Sequence, residues 1–153
     1  EKISKNINFG HFDSDLEIVK VEGHSINTIF KQNGEKYFRE IEQKIIIKLL
    51  SKKDVVISLG GGSILSKLVR NILKKNSLTV FLNVELKELE RRLLNSSNRP
   101  LLNNVDIKKK VTDLDKKRRK YYLKADIIIN NNFSSPYETK KEFIKKLLEF
   151  NEN

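Results

Sequence analysis

The sequence predicts an α/β fold, a parallel sheet whose strands are joined by crossover helices. Three observations carry this. Short β-branched runs (Asp54 to Leu59, Leu78 to Val84, Ala125 to Asn130) alternate with longer segments of helical periodicity. No hairpin signal separates those runs. A glycine triplet, Gly60-Gly61-Gly62, follows the first of them directly. In such sheets ligands bind at the carboxyl ends of the strands. Here those ends carry Asp13-Ser14-Asp15, the glycine triplet and the loop after Val84.

Each element has a local reason. Asn8 to Phe12 is a short extended segment that ends at Asp13-Ser14-Asp15. Leu16 to Val21 makes a helical turn or two, stopped by Gly23. Ser25 can cap the next helix, with Ile26, Ile29 and Phe30 on one face, and Gly34 breaks it. Glu35 to Lys53 is the longest helix, since Phe38, Ile41, Ile45 and Leu49 follow the three-and-four spacing of a buried stripe. Asp54 to Leu59 is a buried-strand run, after which Ser63 is expected to cap a helix through about Lys75. The strand Leu78 to Val84 leads into the helix Leu86 to Leu94. Asn95 to Asn104 is a polar loop containing Arg99-Pro100. Val105 to Leu123 is a basic helix and Ala125 to Asn130 a strand. Pro136 opens a last amphipathic helix through Phe150.

With 153 residues the chain is one domain's worth, enough for a single core. Hydrophobic residues make up 38% and charged residues 33%, a polar but globular balance. No apolar run approaches a membrane span, no signal peptide is visible, and a cytosolic address fits. There is no cysteine, which excludes disulfides, thiolate metal sites and cysteine nucleophiles. The net charge of +11 invites a nucleic-acid reading. Against it, 24 of the 31 basic residues are lysines spread along the chain without interleaved aromatics, and Ile and Asn are also abundant. That composition reads as A/T-rich codon bias. The seven arginines are therefore the informative cations, because arginine supplies a planar, forked donor that lysine does not.

Taken singly, each motif has a plain reading beside a chemical one. Asp13 and Asp15 could hold a magnesium shell and accept a proton from a hydroxyl, or could simply cap a helix. The glycine triplet could bring backbone N–H groups against a ligand, or make a tight turn. Arg39, Arg118 and Arg119 could be solvated helix charges, and Arg99 a lid arginine or part of a turn. His11 and His24 have no partners at metal or triad spacing and read as surface residues.

In register, the set resembles shikimate kinase. The residues that carry the resemblance are Phe12-Asp13-Ser14-Asp15, Ser25-Ile26-x-x-Ile29-Phe30, Gly34-Glu35-x-x-Phe38-Arg39-x-x-Glu42, Ser58-Leu59-Gly60-Gly61-Gly62, Arg99-Pro100-Leu101-Leu102 and Arg118-x-x-x-Tyr122. The resemblance runs from about Ile3 to the C-terminus. It implies a three-layer, P-loop nucleotide-kinase-like α/β fold, a parallel sheet of order 2-3-1-4-5 with helices on both faces, in one domain over 1–153 with a lid near 96–110. It implies transfer of the γ-phosphoryl of ATP to the 3-hydroxyl of shikimate, on the route to chorismate and the aromatic amino acids. Asp15 would bind the ring hydroxyls and act as base. Asp13 would act near Mg2+ through water. Arg39 and Arg118 would grip the substrate carboxylate, Gly60, Gly61 and Gly62 would meet the substrate through backbone, and Arg99 would close over the ATP phosphates. The expected partners are shikimate and ATP, with no nucleic acid and no membrane, and the expected species is a cytoplasmic monomer.

The sequence also departs from the family pattern. No Gly-x-x-x-x-Gly-Lys-[Ser/Thr] loop occurs in the 153 residues, and Ile3 to Ile7 matches the end of the helix that follows that loop. The chain starts at Glu1 and contains no methionine, as a fragment would. The expectation is that roughly twenty residues, a strand and the loop, belong upstream. Central strand 1 would then be absent from this chain, leaving two inner edges unpaired and the chain alone poorly stable and inactive. An alternative is a degenerate relative without the loop, able at most to bind shikimate. Val19 stands where the family often has glutamate, and Phe133-Ser134-Ser135 stands where an arginine often flanks adenine.

Overall fold

The computed structural model describes residues 4–5, 7–94, 106–132 and 135–152. The elements are β1 (Gly10–Asp13), α1 (Ser14–Glu22), α2 (Ile26–Leu50), β2 (Val55–Ser58), a 3-10 turn (Ser63–Leu65), α3 (Lys67–Asn76), β3 (Val80–Asn83), α4 (Leu86–Leu94), α5 (Ile107–Tyr122), β4 (Ile127–Asn130) and α6 (Pro136–Asn151). The chain divides into two compact units, 1–77 and 78–153.

In the first unit β1 and β2 pair in parallel, with Gly10 opposite Val55 and Asp13 opposite Ser58. Parallel register makes both strands end together, so the segments after Asp13 and after Ser58 leave the sheet side by side. Helix α1 stops at Gly23, whose φ of 67° is the left-handed cap that favours glycine. Ser25 caps α2 by accepting from Thr28 N–H. Gly34 breaks that helix, as expected. It interrupts it with φ 80° and ψ 173°, and the helix resumes on the far side. Ile18, Ile29, Phe38, Ile45 and Leu49 form the main core, with Phe12, Phe30 and Ile57 packed on it. Each such side chain, when fully buried, contributes about 1.5–3 kcal/mol. Phe30 and Phe38 meet across the Gly34 interruption, ring centroids 4.6 Å apart. Ile46, Val69 and Leu73 join α2 to α3.

Two expectations need correction here. Val55, Val56 and Ile57 are half-buried rather than buried, because among the described residues β2 pairs only with β1. Ser63 does not cap a helix that runs to Lys75. Residues Ser63–Leu65 form a 3-10 turn, and Ser66 caps α3 by accepting from Val69 N–H.

In the second unit β3 and β4 pair in parallel, Val80 opposite Ile127 and Asn83 opposite Asn130. Asp126 accepts from both the N–H and the hydroxyl of Thr79, which fixes the register at the start of the pair. Ile127 and Ile129 are buried, and α6 packs on β4 with Phe143 buried. The two pairs agree with the outer 2-3 and 4-5 neighbours of the expected sheet order. Glu88 on α4 accepts from Arg91 and Arg92, and those hydrogen bonds hold its carboxyl at about 2 instead of 4.5. A depressed carboxylate adds stability above its unfolded pKa and loses it as pH falls through the folded value. Glu88→Gln is therefore expected to lower the thermal midpoint slightly at neutral pH, since the cluster is solvated. The gap should close between pH 4.5 and about 2 in melts of both proteins.

Candidate active site

The first unit assembles a polar cluster at the carboxyl ends of β1 and β2. Asp13 ends β1 in an extended conformation and caps α1, its Oδ1 accepting from Asp15 N–H at 2.9 Å and Leu16 N–H at 3.2 Å. The capping role open to it from the sequence is therefore real for this oxygen. Ser14 is fully buried, and its hydroxyl accepts from Gly60 N–H at 3.1 Å. That bond ties the glycine triplet to the base of α1 and sets Gly60 beside Asp15. A Cβ on Gly60 would lie 2.8 Å from Asp15 Oδ1 and 3.2 Å from Glu42 Oε1, so a larger residue there would push the Asp15 carboxylate aside.

Arg39 rises from α2 toward the same loop. Its Nη1 donates to Glu42 Oε2 at 2.6 Å, while Nη2 and Nε reach Glu35 Oε1 at 3.3 and 3.4 Å. A guanidinium has five N–H groups, so two remain for another acceptor. A Cβ on Gly62 would sit 2.5 Å from both Nη1 and Nη2 of Arg39. Gly61, between these two, is exposed.

Glu42 is 3% exposed, and its second oxygen accepts from Ser63 Oγ at 2.7 Å. From the sequence, Glu42 stands out only as the last position of the arginine motif, and Ser63 only as a helix cap. Spacing of three along a helix places Glu42 one turn from Arg39. Nothing local shows that Ser63 would reach it from 21 residues away. Arg70 Nη1 donates to the Ile64 and Leu65 carbonyls at 2.7 and 2.8 Å, bracing the turn that follows the triplet.

The cluster thus brings together Asp13, Asp15, Arg39, Gly60 and Gly62. Arg118 belongs to the second unit, on α5. Its Nε is buried with no hydrogen-bond partner among the described residues. Burial pushes the Tyr122 phenol up, opposed by Arg118 one turn away, and the Tyr122 ring stacks on Phe81 at 4.8 Å. Arg119, its neighbour, is occupied by Asp115 at 3.3 Å. That contact uses one of its five N–H groups. Arg99, Pro100, Leu101 and Leu102 lie outside the described residues, as do Phe133 and Ser134. The expected lid is described only from residue 106 on, where Asp106 caps α5. His24 is exposed, and His11 is half-buried against the Ser58 hydroxyl at 3.0 Å.

Among the described residues no helix is long and apolar enough to cross a membrane, and no group of three His, Cys, Asp or Glu side chains could hold a metal ion. Three solved structures share the fold closely. Shikimate kinase from Acinetobacter baumannii in complex with shikimate superposes with a TM-score of 0.90 at 29% identity, over 96% of this chain and 83% of that one. Shikimate kinase from Bacteroides thetaiotaomicron gives 0.88 at 26% identity, over 97% and 88%. The Aquifex aeolicus enzyme gives 0.82 at 36% identity, over 95% and 85%. Fold and relatives together define an ATP-dependent kinase acting on a small molecule. The shikimate kinase family model matches residues 1–149, across both units, and the chain belongs to that family. Curated shikimate kinases agree, among them that of Persephonella marina, 33% identical over 145 residues, 95% of this chain and 87% of the relative. That of Xylella fastidiosa strain M23 is 35% identical over 147 residues, 95% and 82%. These relatives are kinases matched over most of their length, so the degenerate, non-catalytic alternative finds no support among them.

Proposed function

We propose that the chain carries the shikimate-binding and proton-accepting side of a reaction in which the shikimate 3-hydroxyl oxygen attacks the γ-phosphorus of ATP. The new oxygen–phosphorus bond forms as the bond to the ADP oxygen breaks, and the hydroxyl proton passes to the Asp15 carboxylate. The observation that carries this is the juxtaposition of Asp15, Gly60, Gly62 and Arg39 at the ends of two parallel strands. Arg39 has two N–H groups to spare beyond its carboxylate partners, a match for the substrate carboxylate. Arg118, whose buried Nε has no hydrogen-bond partner among the described residues, is proposed as the second ligand of that carboxylate. Gly61 is proposed to present backbone to the substrate, and Arg99 to close over the ATP phosphates from a lid near 96–110. The family match across both units supports reading 1–153 as one domain.

Mg2+ fits this donor set only through water. Asp13 Oδ1 is engaged by two backbone N–H groups, and no cluster of three acidic or imidazole ligands stands among the described residues. Mg2+ usually keeps several waters and binds through one or two carboxylates and substrate phosphates, so Asp13 Oδ2 would face its water shell. When bound, the ion neutralises charge on the phosphates. A cytoplasmic address is proposed as well, supported by the need for ATP.

The test is calorimetric titration of shikimate, with phosphoryl transfer followed by phosphorus NMR on the protein from its natural source. Micromolar to millimolar binding and a phosphate monoester product are expected. No shikimate binding sinks the reading. One substitution probes the loop directly. Gly62→Ala would press a methyl group onto the Arg39 guanidinium and should displace it without unfolding the chain. Loss of a charged contact of about 1.5–3 kcal/mol corresponds to roughly 10- to 150-fold weaker shikimate binding, and the thermal midpoint should fall with it, because the buried Glu42 carboxylate shares that guanidinium.

A further inference from the structure

Ser63 is 1% exposed and donates its hydroxyl to the buried carboxylate of Glu42 at 2.7 Å. The hydroxyl has no capping duty, because Ser66 caps α3. It is fixed in place by the turn that holds it. Ser63 N–H donates to Gly60 O at 3.0 Å, and Ser66 N–H donates to Ser63 O at 3.2 Å. Glu42 therefore uses its two oxygens on two different partners, Oε1 on Ser63 and Oε2 on Arg39 Nη1. A carboxylate facing an arginine otherwise tends to engage it with both oxygens.

We propose that Ser63 is a positioning residue that holds Glu42 to a single-oxygen contact with Arg39, so that the guanidinium keeps its remaining N–H groups for the substrate carboxylate. This rests on the shikimate reading of the site. Removing the hydroxyl frees Oε1. The carboxylate then turns to chelate Arg39, and the substrate competes with Glu42 for the same donors. A residue that merely filled space would lower stability and weaken both substrates alike.

The experiment compares Ser63→Ala, Glu42→Gln and the double variant with the unsubstituted protein, each in the form its natural source makes, by calorimetric titration of shikimate and of ATP beside thermal unfolding. Ser63→Ala should weaken shikimate binding about tenfold, the size of one charge-assisted hydrogen bond, and leave ATP affinity unchanged. In the Glu42→Gln background the same change should cost less than about threefold, since a neutral amide does not chelate the guanidinium. If Ser63→Ala unfolds, Ser63→Cys, close in size and a weak donor, takes its place. Unchanged shikimate affinity, equal loss for both substrates, or full additivity with Glu42→Gln overturns the proposal while leaving the function intact. Failure of the unsubstituted protein to bind shikimate overturns both.

Discussion

Arg39→Lys is expected to weaken shikimate binding by about two orders of magnitude while the fold survives. The arginine serves two masters at once. One edge is held by Glu42 at 2.6 Å and by Glu35 at 3.3–3.4 Å, and the rest of the fork is left for a ligand. Lysine keeps the charge, so Glu42 is not left as a buried anion without a cation. A single ammonium cannot present a flat pair of donors to a second carboxylate. The lost bidentate interaction is about 1.5–3 kcal/mol, or roughly 10- to 150-fold. Arg39→Ala should behave differently. It strands the Glu42 carboxylate, 3% exposed, with the Ser63 hydroxyl as its remaining partner among the described residues. Breaking such a buried pair costs about 3–5 kcal/mol of stability. Titration of shikimate against both variants, with melts alongside, separates the two effects. Lysine binding as tightly as arginine would remove Arg39 from the substrate site.

The second large effect is at Asp15. Asp15→Asn preserves size and hydrogen-bonding reach but cannot take up the proton of the attacking hydroxyl. Turnover should fall by about 10²–10⁴, the range of general-base contributions, with shikimate affinity changed only a few-fold. The measurement is kcat beside shikimate Kd for both proteins. A rise in Kd alone, or turnover within about tenfold of the original, would mean that Asp15 binds and does not accept the proton. Asp13→Asn makes a useful contrast. Its Oδ1 already accepts two backbone N–H bonds, which asparagine also supports, so the cap should survive.

Much of this is legible in the chain itself, for reasons of range. The pairing of a strand end with Asp13-Ser14-Asp15, and of another with Gly60-Gly61-Gly62, follows from local patterns that any parallel sheet brings to one edge. Arg39 and Glu42 are three apart on a helix, so their contact is also local. What stays hidden depends on approach through space. The Ser14 hydroxyl on Gly60 N–H spans 46 residues, and the Ser63 hydroxyl on Glu42 spans 21. Serine offers no period or spacing that announces such a partner. Ser63 reads instead as a helix cap, because a serine between glycines and an apolar run is the usual sign of one. The real cap lies one turn later, at Ser66, since the chain first completes a 3-10 turn. The burial expected of β2 exceeds what the strand achieves for a similar reason. A run of valine and isoleucine reports what a strand can bury, and neighbours decide what it does bury.

Gly34 sets where Arg39 points. The helix that carries the arginine begins again at this residue, and the chain turns there through one dihedral pair, φ 80° and ψ 173°. Around it there is open space, for a Cβ would meet no atom within 4 Å. A substitution there would look harmless to any measure of room. Yet an L residue is strained at that φ, and relief would come by rotating the backbone and swinging everything downstream. Arg39 lies five residues on, so a few degrees at the elbow become a sideways miss at the guanidinium. The position works as the sight of the instrument: it touches neither target nor trigger, and it sets the line along which Glu42 and Ser63 then hold the guanidinium.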